Sequence, residues 1–360
     1  MADNAWMLAP VWSSEIVYCE TMAMIEENGV CEASFSRKPG KILKVESYDR
    51  QITYEQGRDF EIIGDKLVLT KDSAIPYTTW DTFFLDTEEQ ALKDREDSPL
   101  KFECAPIATT DGRYVSVFGI GNPQYVTKWQ ICVTYETEEA WQGYTPEPSL
   151  AKLPRVSEKL LKGEPVTVVL YGDSISVGFD CSGIYNQEPH QPIWGELVIA
   201  SLRERFASPI TFYNPSVAGV DSDWALENLQ ERVNVHHPDL VILGWGMNDR
   251  CTGEEYGVKT RKLIDGIRTA NPEAEIVMMA SSLANELTAT PPYWFCANQK
   301  DHGSSLAPLC REGIVLADIG SMQKELMKQK RYIDLTGNWL NHPNDYLARV
   351  QAQIVNTVLS

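Results

Sequence analysis

The spacing of apolar residues changes character near the middle of the chain. From about residue 10 to 140, apolar and polar positions alternate over short stretches punctuated by Gly, Asp and Pro, the pattern of strands with one covered face. Residues 60–69 predict a hairpin turning at Gly64-Asp65. Ile131, Val133 and Tyr135 alternate with Gln130, Cys132 and Thr134 and predict a half-buried strand. Several such strands imply an all-β sandwich, a jelly roll by the usual arrangement. Beyond residue 165 the pattern becomes apolar runs separated by stretches of helical period. Strands are expected at 166–170, 210–213, 240–243, 276–279 and 314–317, and helices at 194–206, 222–235, 254–269, 321–329 and 343–358. That alternation specifies a parallel sheet with helices on both faces. The intervening segment is rich in Pro and charge and reads as a linker with one helical turn around 158–161. The expected organisation is a β-sandwich over 1–145, a linker over 146–164 and an α/β domain over 165–360.

Composition narrows the function. A chain of 360 residues is long enough for two cores, and 43% hydrophobic with 23% charged residues is ordinary for a globular protein. The formal charge of −19, with no long run of Lys or Arg, argues against a nucleic-acid partner and against an anionic membrane surface. The first residues lack the charged and apolar regions of a secretory leader, and no apolar stretch approaches the ~18 residues of a spanning helix. A cytoplasmic protein is expected, or a secreted one if a leader has been removed. Eight cysteines contain no Cys-x-x-Cys pair, and five histidines no His-Glu-x-x-His, so neither metal nor cofactor is expected. Gly119-Ile120-Gly121 lacks the third glycine of a dinucleotide site and reads as a turn. Trp80, Phe83 and Phe84 suit a β core better than a platform for a sugar.

The chemistry concentrates after the first strand of the α/β region. The run 166–178 is a β-branched stretch that ends abruptly in Gly172-Asp173-Ser174 and so delivers a serine at the strand's carboxyl end, where open α/β sheets bind ligands. Taken alone, this is more often a strand closed by a polar turn. Three further features follow in order: Gly219 after the next strand, Gly246-Met247-Asn248-Asp249 closing the third, and His342-Pro343 opening the last helix.

Together these residues resemble the SGNH, or GDSL-type, hydrolases over about 164–360. The resemblance implies a three-layer, flavodoxin-like α/β/α fold and a serine esterase. Ser174 would be the nucleophile and His342 its base, while the backbone N–H groups of Ser174 and Gly219 and the side chain of Asn248 would form the oxyanion hole. The family usually places Asp three residues before the histidine, and here that position is Trp339. The expected arrangement is therefore a Ser-His dyad, with the main-chain carbonyl of Trp339 or the carboxylate of Asp334 orienting the imidazole. The motif is not the elbow of α/β-hydrolases, because no glycine stands two residues after Ser174.

A β domain before such a catalytic domain resembles two-domain carbohydrate acetylesterases, which implies removal of O-acetyl groups from a small acylated saccharide. Lysophospholipids, thioesters and aryl esters are alternatives, since the blocks define acyl transfer without defining the acyl group. A degenerate glycan-binding protein is another. The long connection 283–308 carries Trp294 and Phe295, aromatic enough to wall a substrate pocket.

Overall fold

A computed structural model describes residues 5–98, 106–289 and 299–360. Trp294 and Phe295, the expected pocket wall, lie outside the described residues.

The N-terminal region is antiparallel. Strands β1 (Ile16–Ala23), β2 (Glu26–Glu27), β3 (Val30–Ser34), β4 (Pro39–Ser47), β5 (Phe60–Ile63), β6 (Lys66–Leu69), β7 (Phe84–Leu85), β8 (Tyr114–Val115) and β9 (Gln130–Thr137) form sheets of order β1-β9-β4, β2-β3-β6-β5 and β7-β8. The hairpin β5–β6 pairs Ile63 with Lys66 around Gly64-Asp65, as its sequence predicts. Strand β9 is central to its sheet, and Gln130 and Cys132 are buried along with Ile131, Val133 and Tyr135, so it is covered on both faces rather than one.

The C-terminal region holds β10 (Val166–Gly172), β11 (Ile210–Tyr213), β12 (Leu240–Gly244), β13 (Glu275–Ala280) and β14 (Ile314–Asp318), all parallel, in the order β11-β10-β12-β13-β14. Side chains of β10 alternate between two cores. Val168 and Leu170 face the layer that holds the last helix, Asp345–Val358, while Val169 and Tyr171 face the layer built around the helix Gly253–Ala270. The order reverses between β10 and β12, which opens a crevice at their carboxyl ends.

The segment expected as a linker is packed structure. Pro154–Lys162 is a helix with Pro at its first turn and Gly163 in a left-handed cap, and Leu153, Val156 and Leu160 are buried. Those three side chains belong to a single hydrophobic core that also contains Val17, Val45 and Tyr135 of the β unit and Val168, Val350 and Ile354 of the α/β unit. The last helix is buried on nearly every side, because the β unit covers the face turned away from the sheet. Arg349 donates to the carbonyls of Tyr18 and Cys19 at 3.0 and 2.8 Å, and Gln353 donates to that of Met7 at 3.0 Å. Buried polar side chains on a helix need such partners, and the β unit supplies them.

Candidate active site

The chain leaves β10 through Gly172, where a Cβ would lie 2.4 Å from the carbonyl oxygen of Gly244 on the neighbouring strand. Only glycine lets the turn fold this tightly over the sheet. Asp173 then caps the short helix Ser174–Val177, its Oδ1 accepting from the N–H of Ile175 at 3.0 Å. Ser174 is therefore the first residue of a helix turn at the mouth of the crevice. Its N–H has no acceptor among the described residues, as expected of a first-turn donor.

His342 comes from the other end of the sequence. Its loop is an Asn-centred turn in which Oδ1 of Asn338 accepts from the N–H groups of Leu340, Asn341 and His342 at 2.9, 3.0 and 3.1 Å. Thr336 closes the loop by donating to the His342 carbonyl at 2.8 Å. The helix that follows is capped by Asn344, which accepts from the N–H of Leu347. His342 is thus not a capping residue, and Pro343 is not the first helical position; Pro343 instead bridges to Thr336.

Ser174 Oγ lies 2.8 Å from His342 Nε2, and His342 Nδ1 lies 2.5 Å from Asp180 Oδ2. All three side chains are buried, with residue exposures of 4%, 6% and 0% for Ser174, His342 and Asp180. An ionised carboxylate accepts only, so Nδ1 carries the hydrogen and Nε2 is left to accept from the serine hydroxyl. The ring of Phe179 meets the imidazole edge-on at 5.8 Å, and the Tyr185 hydroxyl donates to Asp180 Oδ1 at 3.4 Å.

The orienting group is therefore neither of the two expected. The carbonyl of Trp339 accepts from Asn285 Nδ2 at 3.0 Å. Asp334 is committed elsewhere, its oxygens accepting from the N–H groups of Ala23 and Arg331 at 2.7 and 2.8 Å. Asp180 escaped the sequence reading because it stands six residues after the serine, on the nucleophile's own loop, where no spacing rule points to it.

The remaining expected residues lie on loops tied to the same crevice. The loop after β11 is fastened to the nucleophile's strand by Val217 N–H to the Gly172 carbonyl at 3.0 Å and by Gly172 N–H to Ser216 Oγ at 2.9 Å. Gly219 has φ of +79°, exposes its backbone and has no acceptor for its N–H among the described residues. Asn248 donates one amide hydrogen to the Val220 carbonyl at 2.9 Å, which leaves its second amide hydrogen for a ligand. Asp173 joins the two turns that matter most, since its Oδ2 accepts from the N–H of Met247 at 3.2 Å. Burial of this carboxyl pushes it from the ordinary 3.8 to about 6, against the pull of those two N–H groups. Ile175, Met247 and Ala284 pack together into a small apolar cluster between the serine turn and the asparagine turn. Among the described residues no group of His, Cys, Asp and Glu is arranged to hold a metal ion. No helix among them is long and apolar enough to cross a membrane.

Comparison with known proteins supplies the remaining findings. The model of the GDSL-like Lipase/Acylhydrolase family matches residues 170–350, half of the chain. An arylesterase of Vibrio mimicus is 31% identical over 133 residues, which are 36% of this chain and 58% of that protein. The chain thus spans little more than half the length of that relative. A crystal structure of a two-domain esterase active on acetylated mannans, solved with mannopentaose, aligns with a TM-score of 0.48 and 18% identity over 59% of this chain and 54% of that one. A variant of an acetyl-xylooligosaccharide esterase from Geobacillus Stearmophilus aligns with a TM-score of 0.42 and 17% identity, covering 54% of this chain and 95% of that one.

Proposed function

The chain belongs to the GDSL-like lipase/acylhydrolase family, and from that premise we propose that it is a serine esterase that removes short acyl groups, acetyl above all, from a polyhydroxylated alcohol such as a small saccharide. The observation that carries the reading is the unbroken hydrogen-bonded sequence Ser174–His342–Asp180 at 2.8 and 2.5 Å. A serine hydroxyl is a weak nucleophile until a base removes its proton, and a base works best when its other nitrogen is held by a carboxylate.

In this reading Ser174 Oγ attacks the ester carbonyl while His342 Nε2 takes the hydroxyl proton. Negative charge then develops on the carbonyl oxygen. The N–H groups of Ser174 and Gly219 and the uncommitted amide hydrogen of Asn248 are the donors that would meet it. The imidazolium, steadied by Asp180, returns its proton to the departing alcohol oxygen, and an acyl-serine remains. Water enters, His342 removes its proton, and attack on the acyl carbonyl releases the carboxylic acid and regenerates Ser174.

Two features support a short acyl group on a polar alcohol. Ile175, Met247 and Ala284 form a small apolar cluster beside the serine and asparagine turns, a surface that suits a short acyl group. Phe179 against the imidazole, Tyr185 on Asp180, Asn214 on the Ser176 carbonyl and Asn248 on the Val220 carbonyl are half-buried groups of mixed character, a mixture that suits hydroxyl-bearing rings better than an alkyl tail. The test is hydrolysis of 4-nitrophenyl acetate, butyrate and octanoate by the native protein, Ser174→Ala and His342→Ala, followed by acetylated oligosaccharides. The acetate is expected to be preferred over the octanoate by about tenfold or more in kcat/KM, and either substitution to lower kcat by roughly 10⁵ to 10⁶. Preference for octanoate would move the substrate to lipid esters. Native turnover no higher than that of Ser174→Ala would leave a binding protein.

A further inference from the structure

Trp339 stands three residues before His342, in the loop that carries the imidazole, and its ring is packed against the β-rich unit. We infer that the β-rich unit positions the histidine of the active site: Trp80, with Phe83 and Phe84, holds Trp339 and through it the loop that carries His342. The inference rests on the esterase reading only for its effect on turnover.

Trp339 is 4% exposed although its backbone is left-handed, with φ of +67°. A bulky residue keeps such a conformation only where its surroundings hold it. Tyr332 of its own unit stands 6.0 Å from Trp339, ring to ring, and the nearer aromatic rings come from the other unit. The Trp339 ring centroid lies 5.3 Å from that of Trp80, 5.8 Å from Phe83 and 5.6 Å from Phe84. The cage is itself braced: the Arg113 guanidinium sits 3.6 Å above the Phe84 ring, and Trp80 Nε1 donates to Glu27 Oε1 at 2.7 Å. A second contact from the β unit reaches the same loop. Gly119 packs so closely that a Cβ there would lie 3.1 Å from the carbonyl oxygen of Asn338 and 3.3 Å from its Cα. Asn338 is the residue whose side chain gathers the N–H of His342, so movement of Trp339 or Asn338 moves the imidazole. A misplacement of about 1 Å away from the reacting atoms can cost roughly a hundredfold in rate.

The alternative task for Trp80, half-buried at the edge of the cage, is to stack against a sugar ring. Two variants separate these roles. Trp80→Ala empties the outer side of the cage, and Gly119→Ala presses on the Asn338 backbone and on the Val126 side chain without altering any aromatic ring. Positioning predicts that Trp80→Ala lowers kcat on 4-nitrophenyl acetate about ten- to a hundredfold and that Gly119→Ala, a smaller displacement, lowers it about two- to tenfold, each with KM within about twofold. Trp80→Phe, which keeps an aromatic ring in place, should recover most of the loss. Independently of turnover, the proton held between His342 Nδ1 and Asp180 should give a far-downfield proton resonance in the native protein and Trp80→Phe, and be broadened or lost in Trp80→Ala.

An unchanged resonance and unchanged kcat in Trp80→Ala would overturn the inference. So would a KM effect confined to acetylated saccharides, the mark of a sugar platform. A native protein that shows the resonance, loses it in Trp80→Ala and hydrolyses no ester would support the cage and overturn the esterase reading.

Discussion

Asp180 reaches the imidazole through its backbone as much as through its carboxylate. It adopts φ of +63°, a left-handed conformation that Asp tolerates better than most residues. That conformation turns the chain under the His342 loop, which meets it at Gly337; a Cβ on Gly337 would lie 2.5 Å from the Asp180 carbonyl oxygen. An amide in place of the carboxylate would neither hold Nδ1–H as firmly nor stabilise the imidazolium, so Asp180→Asn should lower kcat about 10³- to 10⁴-fold, with KM changed far less. Asp334→Asn is the control, because Asp334 bonds the backbone at the seam between the units. It should lower the melting temperature and leave kcat within a few-fold. Steady-state kinetics on the two variants decide which acid serves His342, and equal losses would contradict the geometry. The contrast shows what could be read from the sequence. Ser174 and His342 were legible because their neighbours, Gly-Asp before one and Pro after the other, are local. Asp180 was not, since its place depends on a positive φ and on a contact with Gly337 that is remote in the chain.

The strands of the parallel sheet were legible to within a few residues, because a strand covered on both faces is an apolar run whatever surrounds it. Helices were less so where caps compete. The helix expected over 222–235 ends at Glu227, where Asn228 interrupts it, and continues as short turns at Leu229–Arg232 and Asn234–His236. Asn344 rather than Pro343 starts the last helix, since an Asn side chain satisfies a first-turn N–H and proline supplies none. The element with the most direct bearing on chemistry is the pair of turns joined by Asp173. Its carboxyl rises from 3.8 to about 6 in the folded protein. A carboxyl raised on folding makes the native state bind more protons than the unfolded state between those two values. Its contribution to stability is therefore most favourable below about 3.8, declines as pH rises to about 6, and is constant above. At ~1.36 kcal/mol per unit the swing is about 3 kcal/mol. Urea unfolding of the native protein and Asp173→Asn from pH 7 to 3.5 should show the native protein gaining up to about that amount relative to the variant as pH falls. A difference independent of pH would show that burial does not raise this group.

At the scale of the whole molecule, the β unit and the α/β unit share one of the molecule's cores, and the segment between them is part of it. The composition of 146–164 concealed this: Pro146, Pro148 and Pro154 suggest a spacer, yet Leu153, Val156 and Leu160 lie along one face of the helix there and are buried. The seam also contains a fully buried ion pair, Lys330 Nζ to Glu20 Oε1 at 2.8 Å, with both side chains 0% exposed. Glu20 lies on β1 and is further held by the hydroxyls of Ser36 and Tyr135 at 2.7 and 2.6 Å, and Lys330 also donates to the Ser34 carbonyl at 2.9 Å. Removing one partner of a buried pair strands the other charge, at a cost of about 3 to 5 kcal/mol, whereas replacing both partners with uncharged groups is often close to neutral. Lys330→Met should therefore shift the guanidinium midpoint strongly downward, and Glu20→Gln with Lys330→Met should recover part of the loss. Because the core is shared, tryptophan fluorescence and far-UV circular dichroism should report one coincident transition in the native protein and in both variants. Two separated transitions would mean that the β unit folds on its own and that its hold on the His342 loop is not built into the stability of the catalytic unit.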